Sequence, residues 1–216
     1  MTDSEASMEN SSVGILAYGS LISDPREEIE KACTGIIEDV MTPFHIEFAR
    51  SSTGKGGGRG GAPTLVPVAN GGSHVKGQVF LVELSEAEAT NVLYRREIGK
   101  VGELERTYKR PELVTAKNVL VERITHFAGL DVVLYTQIAA TIKHLTAEKL
   151  ADLAIASVAK ADSGRDGISY LIAAKESGII TALSPSYEEE ILRKTGCETL
   201  EKALSQLECQ ALSPPR

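Results

Sequence analysis

The sequence predicts an α+β fold, and three observations carry that prediction. Short apolar runs bounded by Gly, Pro, Asn or Ser occupy the first two thirds of the chain. Segments of helical period fill the last third. Between the runs lie a glycine-rich stretch at 51–62 and the turn Asn70-Gly71-Gly72, which interrupt any longer regular element. Strands segregated from helices in this way suit a mixed or antiparallel sheet able to close into a small β-barrel. The 216 residues suit a single domain over 13–212, burying roughly 70% of its unfolded-chain surface. The polar, acidic residues 1–12 read as a disordered tail.

Taken in order, Val13-Gly14-Ile15-Leu16-Ala17 is a buried strand feeding the loop Tyr18-Gly19-Ser20-Leu21. Ser23-Asp24-Pro25 then signals a helix over 26–33, with acidic residues in its first turn. Residues 36–50 alternate and predict one half-buried strand, with His45, Glu47 and Ala49 facing away from Phe44, Ile46 and Phe48. The segment Ser51-Ser52-Thr53-Gly54-Lys55-Gly56-Gly57-Gly58-Arg59-Gly60-Gly61-Ala62 is a loop, because so many glycines cost too much backbone entropy inside an element. Strands follow at 64–68 and 75–84, joined by the turn at Asn70-Gly71-Gly72. Ser85 with Glu88 is a capping box that opens a helix reaching about Ile98, with Ala89, Val92, Leu93 and Arg96 on adjoining faces. Gly99 and Gly102 end it. Further strands are predicted at 113–115, 118–125 and 131–138, then helices at 146–160, 167–177, 186–195 and 198–208.

Composition removes several function classes. The formal net charge of −7 argues against a surface that binds nucleic acid or an anionic membrane. No stretch has the apolar length of a membrane span, and the first residues lack the basic start and apolar run of a signal peptide. Cys33, Cys197 and Cys209 show no metal-site spacing and read as reduced thiols, so the expected location is cytoplasmic. The four histidines have neither metal spacing nor a nucleophile partner.

Two features carry chemistry. A strand ending in Gly19-Ser20 before a helix presents backbone N–H groups to one spot, which suits a carboxylate or an oxyanion; a plain strand-to-helix turn is the competing reading. Glu97 lies near a helix C-terminus, where the dipole disfavours a negative charge and suits a group that must collect a proton. Its competing role is an ion pair with Arg95, Arg96 or Lys100. The glycine-rich loop fits neither the phosphate-loop nor the dinucleotide pattern, because no helix opens after it. Lys55, Arg59 and the nearby Arg50 are candidates to hold an acidic part of a ligand, against the competing reading of a solvated, flexible loop.

Together these pieces resemble the γ-glutamylcyclotransferase-like family. The resemblance rests on Ala17-Tyr18-Gly19-Ser20-Leu21, on Phe48-Ala49-Arg50 with the glycine-rich turn and Ala62-Pro63-Thr64-Leu65-Val66-Pro67, and on Val75-Lys76-Gly77-Gln78-Val79-Phe80. It continues in Leu93-Tyr94-Arg95-Arg96-Glu97 and in Ala173-Ala174-Lys175-Glu176-Ser177-Gly178, so it runs in order over nearly the whole chain. It implies a small barrel with surrounding helices, Glu97 as general acid/base, and Tyr18, Gly19, Ser20, Leu21 and Arg50 as substrate-binding residues. The implied reaction releases 5-oxoproline from a γ-glutamyl amino acid, peptide or amine, with no metal or cofactor. The implied partner is that small molecule alone; the sequence leaves the oligomeric state open, a homodimer included. A binding protein that retains the cavity without turnover is the alternative. The chain departs from the family after the glutamate, where Glu97-Ile98-Gly99-Lys100-Val101-Gly102 lacks the usual tyrosine and the next one is Tyr108. A later substrate-contacting tyrosine of the family aligns best with Asp166, with Tyr170 close by and Tyr135 a further candidate.

Overall fold

The computed structural model describes residues 12–53 and 58–212. The expected tail, except for Ser12, and Gly54, Lys55, Gly56 and Gly57 of the glycine-rich segment lie outside the described residues. The fold is mixed α+β. Strand β1 (Val13–Ala17) is buried at every position and lies at the centre of a five-stranded sheet of order β2-β5-β1-β7-β6. It runs antiparallel to β5 (Lys76–Val82) and parallel to β7 (Leu130–Ile138), with Ile15 opposite both Phe80 and Leu134. β2 (Cys33–Met41) and β6 (Val119–Phe127) are the edges. β6 and β7 meet at the two-residue turn Ala128-Gly129, where both residues have positive φ, as tight hairpin turns require.

A second sheet pairs β3 (Ile46–Ser52) with β4 (Ala62–Pro67), placing Arg50 opposite Thr64 beside the glycine-rich connection. Among the described residues no ladder closes the two sheets into a barrel.

The pleat of β1 divides the core. Val13, Ile15 and Ala17 pack with Ala89, Val92 and Leu93 of α3 (Glu86–Glu97), whereas Leu16 packs with Val79 and Val133 on the opposite face. Helices α4 (Ala147–Val158), α5 (Gly167–Glu176), α6 (Ser184–Thr195) and α7 (Leu200–Leu212) gather with the β3–β4 pair around Phe48 and Tyr187. The expected capping box is present, and a second cap joins it. Ser85 and Glu88 form the capping box of α3, and Thr146 accepts from the Lys149 N–H at the start of α4.

Two expectations are corrected, and two hold with a detail added. The single strand over 36–50 is two strands, because Pro43 has no N–H to donate and the chain turns there. Thr42 fixes that turn: its hydroxyl donates to the Phe44 carbonyl and accepts from the Val75 N–H. Residues 113–115 form no strand; Leu113 and Val114 are exposed, so no neighbour covers them. The Asn70-Gly71-Gly72 turn connects β4 to β5 without pairing them, since β4 pairs with β3 and β5 with β1 and β2. Finally, the helix expected over 26–33 is α2 (Glu27–Ala32), and a short helix α1 (Ser20–Ser23) occupies the loop before it.

One buried and one half-buried carboxylate are structural. Glu47 is 1% exposed, although strand alternation places it with the outward set. Its oxygens accept from the Thr181 hydroxyl and the N–H groups of Phe48 and Leu183, which ties β3 to the start of α6. Glu28 receives the Arg95 guanidinium through Nε and Nη2 and also accepts from the Gly102 N–H. These bonds hold its carboxyl below the usual carboxylate range, with the Arg95 hydrogen bond as the largest cause. The pair locks α2 and the chain after α3 to one another.

Candidate functional site

The C-terminal end of β1 opens into a cleft of about 830 Å³, whose walls include Ser20, Arg50, Arg59, Arg96, Glu97, Arg165 and Tyr170. A narrow recess continues from it, bounded by Tyr18, Leu21, Leu65, Thr136 and the same Ser20, Arg96 and Glu97. Sequence positions some 80 residues apart therefore meet because β1 and the end of α3 pack on the same core.

Gly19 is the residue at which β1 turns into α1. Its φ of 61° and ψ of −137° lie where only glycine is relaxed. A Cβ there would stand 2.7 Å from the Tyr170 hydroxyl, so the backbone is approached closely as well as sharply bent. Leu21 is 4% exposed and belongs mainly to the core. Tyr18 donates its hydroxyl to the Thr136 carbonyl at 2.6 Å and meets Phe44 edge to face. Burial, followed by the nearby Glu97 charge, pushes the Tyr18 phenol well above its ordinary value, so it stays protonated.

Glu97 is the last residue of α3, as expected, and its side chain is 13% exposed. Its Oε1 accepts from Arg96 Nη1 at 2.5 Å, whereas Oε2 has no hydrogen bond among the described residues. Arg96, one of the three ion-pair candidates named for Glu97, fills that role; its reach to the Ser20 loop is what sequence reasoning missed. It donates through Nε and Nη2 to the Asp24 carbonyl and through Nη2 to Ser20 Oγ at 3.4 Å. One guanidinium thus joins the Ser20 loop to the glutamate. The signal was present in the helical spacing: Arg96 continues the face of Ala89, Val92 and Leu93, all buried. Arg95, one position earlier, points instead to Glu28.

Among the tyrosines, Tyr170 is the one in the cleft. Burial raises its phenol; the Arg59 charge and hydrogen bonds from the Leu65 and Ser20 backbone oppose that shift. The Arg59 guanidinium lies 4.8 Å from the centre of its ring. Asp166 has another task, capping α5 by accepting from Ile168 N and Ser169 N. Tyr108 packs edge-on against Tyr94, and Tyr135 stacks on Phe44; neither lines the cleft.

Arg50 lines the cleft from β3. Its Nη1 donates to the Ala116 and Ala139 carbonyls, and burial holds its guanidinium below its ordinary value. Arg59 is pinned from the other side by reciprocal bonds, Gly58 N–H to Asp162 Oδ2 and Asp162 N–H to the Gly58 carbonyl. A separate open groove on α6, lined by Glu188, Arg193 and Cys197, gathers no comparable set of convergent groups.

Among the described residues no helix is long and apolar enough to cross a membrane. No protein-family model matches the chain, and no curated protein matches it, so a functional reading stands on these residues.

Proposed function

We propose that the chain is a γ-glutamylcyclotransferase-like enzyme that releases 5-oxoproline from a γ-glutamyl amino acid, peptide or amine. The observation that supports this most is the meeting of Glu97 with Tyr18, Ser20 and Leu21 around one recess, with Glu97 Oε2 unoccupied by any described side chain. In this reading the substrate's α-amine attacks its own γ-carbonyl carbon, forming the lactam C–N bond and breaking the bond to the departing nitrogen. An attack within one molecule already has a high effective concentration, worth up to about 7–11 kcal/mol in well-oriented cases. What remains is proton transfer. Glu97 removes the proton from the attacking amine and returns one to the leaving nitrogen, a contribution of roughly 10²–10⁴-fold.

The loop from Tyr18 to Leu21 holds the γ-glutamyl head. Backbone N–H groups of Gly19, Ser20 and Leu21 and the Ser20 hydroxyl receive the substrate carboxylate or the carbonyl oxygen as it gains charge, the Ser20 N–H exchanging the Tyr170 hydroxyl for it. Tyr18 and Leu21 shape the recess, and Arg50 faces the departing part. Arg96 is a positioning residue that keeps the loop and Glu97 at a fixed separation. Closure of the two sheets into the family's barrel, a single domain over 13–212 and a cytoplasmic location belong to the same proposal.

One observation favours the second reading, a binding protein without turnover: Glu97 Oε1 already carries the Arg96 guanidinium, and a paired carboxylate serves equally as a fixed binding wall. A panel of γ-glutamyl amino acids, peptides and amines, scored for 5-oxoproline, decides between them. Lactam release from any member supports the enzyme. Thermal stabilisation by 5-oxoproline with no release from any member supports the binding protein.

A further inference from the structure

Three guanidiniums in the cleft have no anionic partner among the described residues. Among the described residues no carboxylate lies within 4.0 Å of Arg50, Arg59 or Arg165, whereas Arg26 pairs with Asp24 and Arg96 with Glu97. This is not the expected state of a chain with a net charge of −7, in which surplus carboxylates are available to any surface arginine. Two of the three are also held in place, and the backbone of the third is fixed. Arg50 is anchored through Nη1 alone, leaving Nε and Nη2 without a hydrogen bond among the described residues. Arg59 lies over the Tyr170 ring, and the Gly58–Asp162 bonds fix the chain beside it. Arg165 follows from that same segment, its N–H bonded to the Asp162 carbonyl. Burial holds Arg59 below its ordinary value, and the like charges of Arg165 and Arg96 contribute in the same direction. Like charges kept together at a half-buried wall are unfavourable until an anion arrives, and guanidinium forks match carboxylates in geometry.

Resting on the cyclisation reading, the geometry points to a substrate whose departing part carries several carboxylates, a short γ-linked glutamyl chain. Each residue of such a chain keeps a free α-carboxylate, so successive anions meet Arg50, Arg59 and Arg165. A cleft of about 830 Å³ is also within the size range that takes ligands much larger than a dipeptide. The chain's only free amine is on its first residue. That nitrogen closes on its own γ-carbonyl, the amide bond to the second residue breaks, and the proton passes through Glu97 to the second residue's nitrogen. The products are 5-oxoproline and a chain one residue shorter, with no water or other reactant consumed. The acidic rim does not oppose this path. Of the acidic residues in the cleft wall, Asp24 is paired with Arg26, Glu27 with Lys31 and Glu97 with Arg96, and Glu30 is exposed to water.

The test compares γ-linked triglutamate with γ-glutamylbutylamine, whose departing part is uncharged. Wild-type protein and Arg59→Gln/Arg165→Gln are assayed for 5-oxoproline, and triglutamate binding to each is measured by calorimetry. Circular dichroism establishes that the variant is folded; should it fail to fold, the single variants Arg59→Gln and Arg165→Gln replace it. The proposal expects the variant's KM for triglutamate to rise at least tenfold more than its KM for the neutral conjugate. Added salt should weaken triglutamate alone. Triglutamate that binds wild type, loses at least tenfold in affinity in the variant and yet releases no lactam sustains the anion subsite while sinking the cyclisation reading. Neutral turnover without triglutamate binding sustains cyclisation and overturns the subsite. Equal KM changes for the two substrates overturn the subsite as well.

Discussion

Replacing Gly19 with Ala should separate the local strain of the loop from its role in binding. At φ 61° and ψ −137° a β-carbon is strained by about 1–3 kcal/mol, and it would also press on the Tyr170 hydroxyl 2.7 Å away. Taking about 2 kcal/mol, a chain of this length should melt about 4–8 °C lower. Removing the hydroxyl should relieve the steric part. Gly19→Ala/Tyr170→Phe is therefore expected to cost about 1–2 kcal/mol less than the sum of the single variants. Thermal and urea melts of the four proteins give the coupling, and melts repeated with 5-oxoproline report binding. The single Ala variant should lose the ligand-induced rise in Tm. Additivity within about 0.5 kcal/mol would refute the close packing of Tyr170 on Gly19. A destabilised variant whose Tm still rises normally with ligand would deny the loop a binding role.

Arg95→Met should destabilise the fold by about 1–3 kcal/mol in urea melts, because it leaves the half-buried Glu28 without its cation. Arg95→Met/Glu28→Leu should recover most of that loss, and no recovery would contradict the pairing. Because the folded Glu28 carboxyl is held below its unfolded value of about 4.3, its contribution is complete above that pH and is lost as pH falls through the folded value. Melts between pH 6 and pH 3 should therefore show a smaller acid loss in the double variant than in wild type. Glu47→Ala should cost about 2–4 kcal/mol, since the Leu183 N–H and Thr181 hydroxyl lose their buried acceptor; a change under 1 kcal/mol would contradict the tie between β3 and α6.

Much of the helical framework was legible because its signals are local. The Ser85–Glu88 box and the glycines after α3 act within a few residues of the ends they define. The break at Pro43 was hidden by the alternation of Phe44, Ile46 and Phe48, which continues a strand pattern across a turn held by Thr42. Glu47 defeated the pattern for another reason: β3 is covered on both faces, so a two-residue period no longer separates inside from outside. Residues 113–115 show that three apolar-rich residues do not make a strand without a partner edge. At the site, Tyr18, Ser20, Leu21, Arg50 and Glu97 do border one connected cleft, with Gly19 turning the chain beside it. The tie of Arg96 to Ser20, the place of Arg165 and the contact of Arg59 with Tyr170 needed the fold, because long-range packing alone brings α3, the β3–β4 connection and α5 to the end of β1.

The most direct test of the proposed chemistry is 5-oxoproline release by Glu97→Gln, measured on whichever γ-glutamyl compound the wild-type protein cyclises fastest. Gln keeps the shape and a hydrogen bond to Arg96 but cannot collect a proton. The account predicts a folded protein with a Tm within a few degrees of wild type and a rate lower by about 10²–10⁴-fold. Cyclisation by the variant at the wild-type rate would remove Glu97 from the chemistry.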